Sequence, residues 1–124
     1  IVSFGKLKSY DGGMLCFNGS GEKWSYAKLN DDNEVIEVAE KREISNYATA
    51  GYYYWAKGSD FVKYAEEMIL SNDTTNNEFY VAPVYNYAIK DGKKIGISMV
   101  DNIYQLGSPE DLAENISKLN DIIN

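Results

Sequence analysis

The feature that most constrains the fold is a change in the period of the apolar residues along the chain. Residues 24–40 have the pattern of two strands: Trp24–Leu29 is rich in β-type residues, and residues 34–40 alternate polar with apolar. The four polar residues 30–33 between them predict a tight turn and a hairpin. After residue 59 the apolar residues recur at helical spacing instead, so Asp60–Ser71 is predicted to be an amphipathic helix with Ser59 as its N-cap. Both periods in one short chain favour an α/β fold.

The rest of the chain continues this alternation. Strands are predicted at residues 14–18, 48–55 and 94–100, and the aromatic segment 48–55 is expected to be buried. A second helix is predicted over residues 80–90, with Pro83 in its first turn and Asp91-Gly92 as its stop. Ser108-Pro109 is typical of a helix start and opens a last helix with an apolar stripe.

Size and charge exclude several classes of function. At 124 residues the chain is expected to form one domain, residues 1–124, with a real core. A net charge of −7 disfavours nucleic acids and anionic membranes as partners, and no apolar run approaches the ~18 residues of a membrane span. The chain has no histidine, which excludes His-based triads and His metal sites. The single Cys16 cannot form an internal disulfide, which fits a reducing cytoplasm.

Glu40-Lys41 is the first candidate site. A carboxylate can accept hydrogen bonds from sugar hydroxyls, and an ammonium can bind phosphate as a point charge. Neighbours on a strand point to opposite faces unless the strand ends there, so this pair can act together only at a strand end. The alternative is a solvated surface ion pair.

Gly51 and Glu78 are further candidates, each with a structural alternative. Gly51 would allow a ligand to approach the backbone closely, or it could pack against a helix. Glu78 could contact a ligand, or it could stabilise the N-terminus of the second helix.

Taken in order, these segments resemble the C-terminal half of the sugar-1-phosphate nucleotidyltransferases, in a branch that acts in capsule synthesis. The resemblance rests on the hairpin followed by Glu40-Lys41 and on three later strings: Ala48-Thr49-Ala50-Gly51-Tyr52, Asn77-Glu78-Phe79-Tyr80 and Leu106-Gly107-Ser108-Pro109-Glu110-Asp111-Leu112. It implies a partial three-layer α/β/α fold with a mixed sheet that lacks the N-terminal nucleotide-binding half. The chain contains no glycine-rich, arginine-containing nucleotide loop and begins at Ile1, as a fragment would.

The resemblance also implies roles for particular residues. Lys41 would be the catalytic residue and bind the sugar phosphate, and Glu40 would contact sugar hydroxyls. The other substrate-binding positions it implies are Ser25, Thr49, Ala50, Gly51, Glu78 and Gln105. Gln105 stands where typical members carry an Asp that helps to hold magnesium, so no metal ligand is assigned in this chain. Mg²⁺ is expected in the intact enzyme mainly through residues outside the chain.

The implied reaction transfers a nucleoside monophosphate from an NTP to a sugar 1-phosphate and releases pyrophosphate. The fragment alone is expected not to turn over. Neither the nucleotide nor the acceptor is predicted, and phosphocholine remains open beside a sugar. Two alternatives also remain open. One is a non-catalytic binding or assembly module whose open sheet edge invites homo-oligomers. The other is an unrelated α+β ligand-binding domain, in which Glu40 and Gly51 would lie far apart.

Overall fold

Residues 7–100 are described by a computed structural model of the chain. Within them lie five strands and two helices. In chain order these are β1 (Gly12–Asn18), β2 (Ser25–Leu29), β3 (Val35–Glu40), β4 (Tyr47–Trp55), α1 (Gly58–Leu70), α2 (Val84–Lys90) and β5 (Ile95–Met99). The helix predicted after Ser108 lies outside the described residues.

The strands form one mixed sheet in the order β3-β2-β4-β1-β5. β1 and β5 are parallel, and the other neighbouring pairs are antiparallel. The parallel pair needs a long crossover, and the segment from β4 through both helices provides it. The predicted α/β class with a mixed sheet is confirmed.

The β2–β3 hairpin is attached to the rest of the sheet at one place. A single registered pair, Tyr26 opposite Ala48, joins β2 to β4. The far end of the hairpin approaches β5 instead, since Val35 and Ile95 share one buried cluster. The turn end of the hairpin therefore bends toward β5. At the other end β2 begins at Ser25, so β4 continues past residue 49 without a β2 partner.

Both helices pack against one face of the sheet. Their buried side chains, Tyr64 and Met68 from α1 and Val84, Tyr85 and Ala88 from α2, join strand residues in the main core cluster. Tyr85 lies at the centre: its ring stacks on Trp55 with centroids 4.4 Å apart and an interplanar angle of 1°.

The helix starts differ from the sequence prediction. α1 begins at Gly58, so Ser59 lies inside the helix and the predicted N-cap is wrong; Lys57 occupies that position without a side-chain cap. α2 begins at Val84 rather than Tyr80. Because Pro83 has no N–H, the chain before Val84 forms i→i−3 turns, such as Val84 N–H to Val81 O at 3.1 Å. The predicted stop is confirmed: Asp91 caps α2, and Gly92 follows at φ 87°.

Segment 48–55 is only partly buried, which corrects another expectation. Ala48 and Thr49 are buried, but Gly51 and Tyr52 are exposed. The exposure begins where β4 passes the start of β2.

Asn86 closes the outer edge of β3. Its Oδ1 accepts the Val38 N–H at 2.7 Å, and its Nδ2 donates to the Val38 carbonyl at 2.6 Å. We expect Asn86→Ala to lower the free energy of unfolding by about 1–3 kcal/mol, because both backbone groups lose their partner in a half-buried position. Urea denaturation measures this loss, with the exposed Asn46→Ala as the matched control. Equal stability of the two variants would contradict the bracing role of Asn86.

Candidate functional site

Three of the predicted site residues lie side by side across the sheet. Glu40 is opposite Ser25 in the β2–β3 pair. One residue before the Tyr26–Ala48 pair, Ser25 faces Thr49, and Thr49 is opposite Cys16. Directly opposite residues share a face of the sheet. The row therefore lies on the helix-covered face, where Cys16 belongs to the core.

Glu40 contains an unmet hydrogen-bond acceptor. Its Oε2 is fully buried and has no hydrogen-bond partner among the described residues. Burial raises the pKa of the Glu40 carboxyl, and the nearby Lys41 charge lowers it by less. A buried acceptor without a donor is costly in free energy. A ligand hydroxyl placed here would satisfy it.

The raised pKa of Glu40 has a consequence for stability. Because the folded-state pKa lies above the unfolded value, the carboxyl favours folding below the unfolded pKa and loses this contribution as the pH rises through the folded pKa. We therefore expect Glu40→Gln to raise the urea midpoint at about pH 7, with a smaller gain at about pH 4. The exposed Glu66→Gln is the control and should change neither midpoint. A gain that is largest at acid pH would contradict the burial of this charge.

Lys41 is placed by the end of β3. The strand ends at Glu40, and Lys41 takes a left-handed backbone conformation at φ 56°, with its N–H bonded to the Trp24 carbonyl at 2.9 Å. Such a conformation is uncommon for a residue other than glycine and frequent at functional sites. It breaks the alternation that would otherwise separate Glu40 from Lys41.

The Lys41 ammonium remains exposed and lies above an aromatic ring. Its Nζ is 5.2 Å from the centroid of Tyr80. The pKa of Lys41 is raised, first by its hydrogen bond with Tyr80 and then by nearby negative charges that include Glu40 and Glu78. Within residues 7–100, Glu40 and Lys41 form no ion pair, so the simple ion-pair interpretation is not supported.

Gly51 lies in a bulge of β4. Between the pairs Met14–Tyr53 and Cys16–Thr49, β1 advances by two residues (14 to 16) while β4 spans four (49 to 53). Gly51 occupies this bulge at φ 84°, and an added Cβ would meet no atom within 4 Å. The helix-packing interpretation is therefore wrong. The glycine allows the turn of the backbone, and the space beside it is open.

Glu78 lies outside the second helix. It forms a tight turn with Thr75 through two backbone hydrogen bonds, six residues before α2 begins. The interpretation as a helix N-terminal charge is therefore wrong, since no acid stands in the first turn of α2. The Glu78 carboxylate instead accepts the Tyr80 hydroxyl at 2.9 Å and so joins the surroundings of Lys41.

Two residues of this region were not predicted. Tyr53 approaches Thr49, and Tyr80 lies under Lys41. Strand alternation places Thr49 and Tyr53 on the same face, but the approach of their hydroxyls depends on the bulge at Gly51, which no local pattern of the sequence predicts. Tyr80 belongs to the predicted string 77–80. Its role depends on its contact with Lys41, which directly follows β3 and is distant in sequence.

Gln105 lies outside the described residues, and Ala50 lies in the β4 bulge. No group of three or more acidic, cysteine or histidine side chains placed to hold a metal occurs in residues 7–100. Neither described helix is long and apolar enough to cross a membrane.

Solved structures with this architecture have been found. A nucleoside-diphosphate-sugar pyrophosphorylase from Vibrio cholerae RC9 matches 94% of this chain with a TM-score of 0.86 and 27% identity. The predicted family resemblance is confirmed. A nucleotidyltransferase-like fold is also shared with the inositol-1-phosphate CTP transferase from T. maritima, at a TM-score of 0.60, 16% identity and 89% of this chain. A Bacillus anthracis structure described as a glucose-1-phosphate thymidylyltransferase matches 94% of the chain with a TM-score of 0.68 and 18% identity.

The match covers only part of these neighbours. The chain spans 50%, 44% and 46% of their respective lengths. No family model matches the chain, and no curated protein matches it in sequence. The capsule-synthesis branch stays a prediction.

Proposed function

We propose that this chain is the sugar-phosphate-binding part of a nucleotidyltransferase. One observation carries the proposal: a buried, unpaired carboxylate oxygen of Glu40 lies next to the exposed ammonium of Lys41, at the end of one strand. A sugar phosphate offers the complementary pair of groups, hydroxyl donors and an anion. The fold shared with the Vibrio cholerae pyrophosphorylase supports the same class of reaction.

In this reaction a phosphate oxygen of the sugar phosphate attacks the α-phosphorus of the nucleoside triphosphate in line. A new P–O bond forms, the bond to the β-phosphate oxygen breaks, and pyrophosphate leaves. Lys41 would hold the attacking phosphate and offset its charge, while Glu40 would orient the sugar. Residues outside 7–100 would bind the nucleotide and any magnesium. The free Cys16 thiol agrees with a cytoplasmic location, and a role in capsule precursor synthesis is part of the proposal.

The test is a titration of the full chain with the 1-phosphates of glucose, galactose and mannose. The NMR signals of the backbone amides are recorded at each ligand concentration. Phosphocholine, inorganic phosphate and the free sugars serve as comparison ligands. We expect a sugar 1-phosphate to bind more tightly than phosphate or free sugar alone and to shift the amides of Glu40, Lys41 and Gly51. Absence of binding by every sugar phosphate, or shifts confined to other residues, would refute the proposal.

A second candidate, an assembly module, is favoured by the edge of β4. Beyond residue 49 no described strand pairs with β4 on the side of β2, and residues 50–55 carry no charge and no proline. Such an edge can pair with another chain. Light scattering at rising concentration tests this candidate. A concentration-dependent oligomer without sugar-phosphate binding would favour assembly, and a monomer that binds sugar phosphate would exclude it.

A further inference from the structure

The loop between β1 and β2 places a second lysine beside Lys41. An open cavity of about 510 Å³ lies between them, and its lining consists of Ser20, Gly21, Glu22, Lys23 and Lys41. The two lysines bring two positive charges to this lining, and Glu22 brings one negative charge. The cavity is therefore net positive, although the chain as a whole has a net charge of −7. A local excess of positive charge in a cleft attracts anions.

Hydrogen bonds on two sides hold this loop in place. The Gly21 N–H donates to Glu43 Oε1 at 3.1 Å, and Glu43 belongs to the chain that follows β3. The hydroxyl of the buried Tyr26, in β2, donates to the Gly21 carbonyl. The loop is thus attached to the same strand ends that place Lys41, and this attachment sets the position of Lys23 relative to it.

The two ammonium groups have similar surroundings. Lys23 Nζ lies 5.0 Å from the centroid of the Trp24 ring, and Lys41 Nζ lies 5.2 Å from that of Tyr80. The Trp24 ring packs edge-on against Phe17, with centroids 4.8 Å apart. The face of an aromatic ring attracts an ammonium but does not neutralise it. Both lysines therefore bring a full positive charge to the cavity.

The charge of the expected ligand changes during the proposed reaction. A phosphate bound to one carbon, as in a sugar 1-phosphate, carries about 1.5 to 2 negative charges at pH 7. When this phosphate is joined to the α-phosphorus of the nucleotide, it keeps a single negative charge. Two ammonium groups therefore match the substrate better than the product, since the product offers them one charge at this position.

We propose that Lys23 is a second phosphate-binding residue, which together with Lys41 selects a phosphate esterified once over a phosphate esterified twice. This inference rests on the proposed function, because it names the charge by which the same site distinguishes its substrate from its product. Lys23 lies at the surface, where water weakens each contact, so its contribution to affinity is smaller than that of a buried ion pair.

The experiment measures dissociation constants of the full chain for the best-binding sugar 1-phosphate and for its methyl diester, in which the methyl group removes one negative charge. Lys23→Met should weaken the sugar 1-phosphate by about 3- to 10-fold and the diester by less than about twofold. Lys23→Arg keeps the positive charge and should stay within about twofold of the wild-type chain for both ligands. Lys28→Met is the matched control, since this exposed lysine of β2 lies outside the cavity.

The decisive readout is the ratio of the two dissociation constants, which a purely structural role would not change. The steric cost of the methyl group is common to all variants and cancels in the comparison. If Lys23→Met weakens both ligands equally, loses no more affinity than Lys28→Met, or is matched in its loss by Lys23→Arg, the inference is overturned while the proposed function stands. If no sugar 1-phosphate binds the wild-type chain, the proposed function and this inference both fail.

Discussion

Tyr85→Ala is expected to lower the free energy of unfolding by about 3–5 kcal/mol, the range for removal of a buried aromatic ring. Tyr85 has no exposed surface, and its hydroxyl lies 2.7 Å from the Gly13 carbonyl and 2.9 Å from the Tyr54 carbonyl. Its ring also covers Gly12, where an added Cβ would lie 3.0 Å from Tyr85 Cε1. The residue therefore joins α2 to both central strands. Loss of the ring would leave a cavity between them.

Urea denaturation at constant pH measures this loss through the transition midpoint. Tyr85→Phe keeps the ring and should cost about 1–3 kcal/mol, since only the hydroxyl is removed. Tyr52→Ala is the matched control: Tyr52 is exposed, and its replacement should stay within about 0.5 kcal/mol of the parent. A Tyr85→Ala variant as stable as Tyr52→Ala would show that the joint between α2 and the sheet does not depend on this ring.

The local pattern of the sequence predicted the elements of the fold well, because each element has a local cause. The alternation in residues 34–40 and the helical spacing after residue 59 correspond to β3 and α1. The errors occur where local preference competes with another constraint. Ser59 is a good N-cap residue, yet α1 begins at Gly58, two residues before the predicted start. Pro83 cannot supply the N–H that an earlier start of α2 would need.

The path of the hairpin could not be predicted from the sequence. Its bend toward β5 depends on packing between residues far apart in the chain, such as Val35 and Ile95. The edge of β4 beyond residue 49 is exposed for a different reason: in the antiparallel register it faces the chain before β2, which begins only at Ser25. An alternation with a period of two identifies a strand, but it does not predict over how many residues the neighbouring strand is paired with it.

The candidate site was predicted in part, and by resemblance more than by chemistry. Glu40, Ser25 and Thr49 were named and do share one row of the sheet. Their chemical importance became visible only in three dimensions, through the unmet Glu40 oxygen and the hydroxyl of Tyr53. Glu78 is predicted as a ligand contact or as a charge at a helix start; the structure excludes the second, because α2 begins at Val84.

The site divides into a buried end and an exposed end, which have different tasks. Glu40 Oε2 and the neighbouring hydroxyls of Thr49 and Tyr53 lie within the sheet, where a hydrogen bond is worth more because water does not compete. Lys41 lies at the surface, where an anion can arrive and leave. A sugar phosphate has the same polarity, with neutral hydroxyls at one end and a charged group at the other.

Lys41→Met is accordingly expected to weaken binding of a sugar 1-phosphate by about 10- to 100-fold, because a charge-assisted contact to the phosphate is lost. Binding of the free sugar should be nearly unchanged, since the hydroxyl contacts remain. The raised pKa of Lys41 keeps the ammonium charged in neutral and mildly alkaline solution, so the wild-type affinity should not fall between about pH 7 and pH 9. Titration calorimetry of the wild-type chain and of Lys41→Met, each with the sugar 1-phosphate and with the free sugar, measures these differences.

Lys28→Met is the matched control, because Lys28 is an exposed lysine on the neighbouring strand β2 and lies outside the candidate site. It removes the same charge from the chain and should change the affinity by less than about twofold, since distant surface charges are screened. If the two variants lose affinity equally, the phosphate responds only to the net charge of −7 becoming more negative. If Lys41→Met weakens the free sugar as much as the sugar phosphate, Lys41 supports the shape of the site and does not bind the phosphate.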